Sequence, residues 1–186
     1  MHRQISNEFI GFIEQFVATN PAYRYDVEQN NETGSIGIVV MYLDHAYRDI
    51  FYAFITEQKI KTYIILNGAR CELSSDFVRN CVDDDVLRQK FNFWNDVVKK
   101  RDTLYRILKN QVDIYKLENP EYEDVVIEIL PNDSCGFFQY SYEVIKGNNK
   151  FTVLMNNNQT FVLQRKSKDD LTFQDPIVIQ DQLRDL

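Results

Sequence analysis

The chain has 186 residues, 44% of them hydrophobic and 13% aromatic, with a formal net charge of -7. Such a length holds one large domain or two small ones with a real core, which excludes an intrinsically disordered chain. The acidity excludes a molecule whose whole surface grips nucleic acid and disfavours adhesion to anionic membranes, because both need a positive face. Charge is uneven, at -3 over residues 1–82, +2 over 83–111 and -6 over 112–186, so a basic site must fall in the middle stretch.

The N-terminal residues lack the charged-then-apolar layout of a signal peptide. No apolar run approaches the roughly 18 residues that span a bilayer. The expectation is a cytoplasmic protein that engages no membrane. Cys71, Cys81 and Cys135 are odd in number and far apart, which fits reduced thiols better than a disulfide framework.

In chain order, Ile5, Phe9, Phe12, Ile13, Phe16 and Val17 share one helical face, and Asn20-Pro21 stops the helix because a residue before proline avoids the helical region. Tyr23, Tyr25 and Val27 then alternate with Arg24, Asp26 and Glu28. Asn30 to Gly34 carries turn residues and Ile36 to Leu43 is β-rich, which predicts a hairpin. The stretch 44–57 reads in two ways. Tyr47, Ile50, Phe51, Phe54 and Ile55 fit a helix behind an Asp44 cap, whereas Asp49 to Thr56 has strand composition. The strand reading is favoured and makes Glu57-Gln58-Lys59 a tight reversal into Ile60 to Leu66, closing a four-stranded meander at Asn67-Gly68. The helix reading would instead give a strand, helix, strand unit with parallel buried strands.

Ser74 and Ser75 are placed to cap a short helix through Cys81. A long helix follows from Asp83 to Val112, where Leu87, Phe91, Trp94, Val98, Arg101, Tyr105, Leu108 and Val112 recur at steps of four and three. Val86, Phe93, Val97, Leu104 and Ile107 widen this seam, as on a helix packed against a sheet or another helix. Asp83, Asp84 and Asp85 at one end and Lys99, Lys100, Arg101, Arg106 and Lys109 towards the other suit the helix dipole. The seam predicts either self-association through this helix or packing across both halves of the chain, and it places Trp94 in the core. Leu117 to Glu123, with Pro120, is the candidate linker.

Beyond it, Val125 to Leu130, Phe137 to Ile145, Phe151 to Met155 and Phe161 to Arg165 are short β segments separated by turn residues, an antiparallel meander. The end of the chain after Pro176 reads equally as strand or helix. The fold class predicted is α+β: an N-terminal helix, an antiparallel meander, a long amphipathic helix and a second antiparallel sheet. Residues 1–116 form the first region and 117–186 the β-rich second, packed together as one unit.

Chemistry-bearing patterns are sparse. Asp44 or Asp49 followed by Glu57 and Lys59 supplies the two carboxylates and ammonium of a divalent-metal nuclease, but a hairpin turn explains the latter pair as solvated charge. Cys135 lies in a small turn with His45 as a conceivable base, yet its neighbour Asp133 opposes thiolate formation. No two of Cys71, Cys81, Cys135 and His45 have the spacing of a structural zinc site, so no cofactor is expected.

Lys99, Lys100, Arg101, Arg106 and Lys109 with Trp94 and Tyr105 form a stripe of the kind that stacks and neutralises single-stranded nucleic acid, although both aromatic residues also fall on the apolar seam. Arg101 interrupts that seam, where its stem can snorkel or its charge can meet an acid on a partner. The favoured function is a non-enzymatic protein-binding module, such as an acidic adaptor, chaperone, inhibitor or immunity factor. Its partner contacts are Arg101, Tyr105, Leu108, Lys99 and Lys100. Nucleic-acid binding through the basic end of the helix and the metal-dependent nuclease are the alternatives.

Overall fold

The computed structural model describes residues 2–43, 49–57, 59–66, 69–72, 84–130, 140–155, 161–164, 171–172 and 179–186. The fold is α+β and follows the predicted order: a helix, an antiparallel meander, a long helix and a second antiparallel meander. The chain divides into two compact units, Met1–Asp96 and Val97–Leu186. Asp44, His45, Ser74, Ser75, Cys81, Asp83, Cys135 and Pro176 lie outside the described residues.

The first unit opens with α1 (His2–Thr19), then β1 (Tyr23–Asn30), β2 (Ser35–Tyr42), β3 (Asp49–Ile55), β4 (Ile60–Leu66) and β5 (Ala69–Glu72), paired in sequence order. The predicted hairpin is present, Tyr23 standing opposite Tyr42 and Asn30 opposite Ser35. Its turn closes through Gly34 at φ 68°, a left-handed conformation that costs glycine little. The Asn30 side chain accepts from the amides of Glu32 (3.0 Å) and Thr33 (3.2 Å).

Residues 49–55 form a strand, not a helix, because Ile50, Phe51 and Tyr52 pair with both β2 and β4. The reversal at Glu57 follows as expected: the Thr56 amide donates to the Lys59 carbonyl at 2.9 Å and the Lys59 amide to the Thr56 hydroxyl at 3.0 Å. Where four strands were expected, Ala69–Glu72 adds a fifth by pairing with Tyr63 to Leu66.

The long helix, α2, runs Asp84–Glu118, six residues past the end of its predicted seam. Its stop lies in the local chemistry of Asn119-Pro120. Proline pushes Asn119 out of the helical region, to φ -133° and ψ 87°, and Asn119 donates to the Tyr115 carbonyl from its backbone (2.9 Å) and its side chain (3.0 Å). The expected linker is thus the last helical turn followed by a 3-10 turn at Pro120–Tyr122.

In the first unit both helices bury their apolar stripes on one face of the sheet. Phe9 and Phe91 of α1 and α2 pack on Phe51 at 6.0 and 5.5 Å, and Trp94 meets Tyr23 at 6.0 Å, so an aromatic cluster forms the core. Tyr23 donates a hydrogen bond to the buried Asn95 amide oxygen. Lys90 reaches the buried Thr62 hydroxyl at 3.0 Å. Trp94 is fully buried, as its place in the seam predicts.

In the second unit, β6 (Val126–Leu130), β7 (Tyr140–Lys146), β8 (Asn149–Met155), β9 (Phe161–Gln164) and β10 (Leu171–Thr172) form another sequential meander. Val97, Val98, Leu104, Leu108 and Val112 of α2 are buried here, and Tyr105 meets Tyr142 of the sheet at 5.7 Å. The chain ends as a helix, α3 (Ile179–Arg184), settling the open choice after Pro176. Ile179 and Leu183 are buried, and Gln180 donates to Gln111 of α2 at 3.0 Å. The seam of α2 is therefore covered within both units, leaving Phe93, Ile114 and Leu117 as its exposed large apolar residues.

Candidate functional site

Antiparallel partners point to the same side of a sheet and successive residues to opposite sides, so register assigns each side chain of the first sheet to a face. Ile38, Val40, Phe51, Ala53, Ile55, Ile60, Ile64 and Leu66 lie under the helices and are buried. The other parity forms the outer face in three rows: Arg24, Met41, Ile50, Ile65 and Arg70; then Asp26, Val39, Tyr52 and Tyr63; then Glu28, Gly37, Phe54 and Lys61. Seven of these, Val39, Met41, Ile50, Tyr52, Phe54, Tyr63 and Ile65, are large and apolar or aromatic, and all stay half-exposed. An antiparallel sheet with helices on one side ordinarily carries polar residues on the other. Here the outer face of the three central strands is mainly apolar too, with Lys61 its one charged residue.

The charged residues of this face stand at its borders. Arg24, Asp26 and Glu28 lie on the edge strand β1, while Lys61 and Arg70 lie on β4 and β5. Charges on an edge strand discourage further strand pairing there. Tyr52 and Tyr63 stack with ring centres 6.0 Å apart and an interplanar angle of 28°. The Arg70 guanidinium sits 4.2 Å from the centre of the Tyr63 ring, a cation–π arrangement.

The most defined feature of the face is at its β1–β2 end. Gly37 stands between Glu28 on one side and Phe54 on the other. The Tyr52 ring leans diagonally across it, so near that a Cβ at position 37 would come within 3.2 Å of the Tyr52 hydroxyl oxygen. The result is a cleft with Gly37 as floor and Glu28, Tyr52, Phe54 and the turn residues Asn31 and Glu32 as walls. Burial, then the Glu28 charge, then the neighbouring Tyr63 push the Tyr52 hydroxyl above the ordinary tyrosine pKa.

The residues singled out from the sequence lie elsewhere. Asp49 is buried on the helix-covered face at the start of β3, whereas Glu57 and Lys59 lie in the turn beyond its other end. Eight residue steps, most of them within β3, separate Asp49 from Glu57, about 26 Å at strand rise. The structure does not bring that acid to the acid and lysine pair. Glu57 instead lines a second cleft, with Asn30, Gly34, Ile36 and Thr56. Among the described residues no group of three or more metal-ligating side chains converges.

Of the five residues assigned to partner contact, Arg101 and Leu108 are fully buried in the second unit. The Arg101 guanidinium lies 5.1 Å from the Tyr140 ring centre, so its place in the seam reflects a contact inside the chain. Tyr105 is half-buried against Tyr142, and only Lys99 and Lys100 are exposed. The stripe is further broken because Trp94 faces the core, Arg106 pairs with Asp102, and Lys109 pairs with Asp113 at 2.6 Å.

Among the described residues no helix is long and apolar enough to cross a membrane. Comparison with known families, with curated proteins and with solved structures finds no match.

Proposed function

We propose that the protein is a non-enzymatic protein-binding module, and that it takes its partner on the outer face of the first sheet, not on the long helix. The observation that carries this reading is the contiguous set Val39, Met41, Ile50, Tyr52, Phe54, Tyr63 and Ile65, half-exposed on three adjacent strands. Contiguous apolar surface of that kind, rimmed by charge, is what protein interfaces are built from, whereas isolated exposed apolar residues are ordinary. Tyrosine suits such a surface because it presents a large apolar ring of low entropy with a polar tip.

A nucleic-acid platform would also use aromatic residues on a sheet. Two features favour a protein partner over that alternative. Tyr52 and Tyr63 stack on each other, and the border is mixed in sign, Asp26 and Glu28 standing among Arg24, Lys61 and Arg70, where a phosphate backbone would need a continuous row of cations. An adaptor, chaperone, inhibitor or immunity factor is the kind of role such a module serves.

The test is site-specific photo-cross-linking in the cell that makes the protein, with benzoylphenylalanine placed at Ile65 or, as control, at Thr152 of the second sheet. The expected result is a discrete adduct with another protein from position 65 and none from position 152. Equal labelling from both positions, or no protein adduct from 65, would remove the reading.

A further inference from the structure

The cleft over Gly37 has a composition more specific than the rest of the outer face, and what it receives follows from the protein-binding reading on which it rests. We propose that it receives an arginine side chain of the partner, with the guanidinium between the Tyr52 and Phe54 rings and its N–H groups directed at the Glu28 carboxylate. Three observations converge on a planar cation. Glu28 and Phe54 flank Gly37 directly across the strands, which puts an acid and an aromatic residue in one row on either side of the glycine against which the Tyr52 ring is seated. The Tyr52 ring lies over the same glycine, its hydroxyl 3.2 Å from where a Cβ would stand, and so gives the cleft an aromatic second wall. A second acid, Glu32, lines it from the turn.

An ammonium would satisfy the carboxylate, but a guanidinium also stacks on aromatic faces and is more weakly hydrated, so arginine matches all the walls. Of the basic side chains on the face, one already has an aromatic partner away from the cleft. Arg70 is placed on Tyr63, and Lys61 stands directly across from Phe54 on the side away from Glu28. The charge of the partner is accordingly opposite to the net -7 of this chain where the two meet at β1.

Nuclear magnetic resonance titration of the full chain tests the assignment. The probe is the acetylated tripeptide amide valine-arginine-valine, compared with the same peptide carrying citrulline, which keeps the shape of arginine and removes its charge. The arginine peptide is expected to give saturable shifts at the amides of Gly37, Tyr52 and Phe54, at least about fivefold tighter than the citrulline peptide, as a cation–π contact and one ion pair together supply. Glu28→Gln should weaken it by a similar factor. Gly37→Ala should displace the Tyr52 ring and weaken it too, and spectra with unchanged dispersion elsewhere would show that this variant still folds. Absence of saturable shifts at these amides, or equal binding of the citrulline peptide, overturns the proposal. If the peptide fails while cross-linking from Ile65 still traps a partner, only the arginine assignment falls and the docking face stands.

Discussion

Each unit carries a five-stranded antiparallel meander with helix packed on one face, and the two differ in what the other face presents. On the first sheet the uncovered rows are aliphatic and aromatic, with charge confined to the borders. On the second, the middle row places Glu128 directly opposite Glu143, then Thr152, with Ser141 and Lys150 in the flanking rows beside Val126, Leu130, Ile145 and the buried Leu154. Glu143 is tied to Lys150 at 2.7 Å, so this face satisfies charge with charge. The same architecture thus builds one outer face with a charged central row and one whose charges stand only at its borders.

The largest expected effect lies beneath the first sheet. Trp94 is fully buried among Tyr23, Phe51 and Phe91, so Trp94→Ala should cost about 3–5 kcal/mol in denaturant unfolding. The native emission should be blue-shifted. A loss below about 1 kcal/mol would mean that the covered and uncovered faces are not the ones described. Next, Thr62→Val removes the buried acceptor of Lys90 at 3.0 Å, with an expected loss of about 1 kcal/mol that Lys90→Met should not exceed additively.

The second sheet supplies a smaller effect of opposite sign. Like charges directly across strands repel, so Glu128→Gln should stabilise by a few tenths of a kcal/mol, most clearly at low ionic strength. A loss of stability instead would show that Glu128 has a favourable partner on that face.

The smallest effect concerns pH. With its folded pKa raised above the unfolded value, Tyr52 keeps its proton after the unfolded chain has lost it. Its contribution is therefore fully present below pH about 10 and is lost as pH rises through the folded pKa. Carbon-13 spectra of labelled tyrosine should show Tyr52 titrating above ordinary tyrosine, moving back towards it in Glu28→Gln. No change in Glu28→Gln would separate the carboxylate from the cleft wall.

Much of this fold is written locally. The steps of four and three in α2 and the turn residues of the first hairpin dictate their elements by periodicity and backbone preference, and both appear where expected. The choice at 49–55 is open in the sequence because Ile50, Phe51, Phe54 and Ile55 suit either period, and only pairing with strands on both sides makes it a strand. The candidate site is harder to read. Its signal is the near-continuous apolar runs in β2 to β4, which in a meander with helices on one side leave the second face apolar as well. Arg101 misleads for a complementary reason: its companion Tyr140 is 39 residues away in sequence, so a buried contact resembles an interruption waiting for a partner.

The central claim is that the outer face of the first sheet, and not that of the second, binds the partner. Its most direct measurement is the affinity of the purified cross-linked partner for wild type, for Ile50→Thr/Ile65→Thr and for Glu128→Gln/Thr152→Ala. Removing two half-buried aliphatic side chains from an interface corresponds to roughly 2–3 kcal/mol, so the first variant should bind about 30- to 150-fold more weakly while remaining folded, and the second like wild type. Undiminished binding by the first variant, or a comparable loss in the second, would contradict the account.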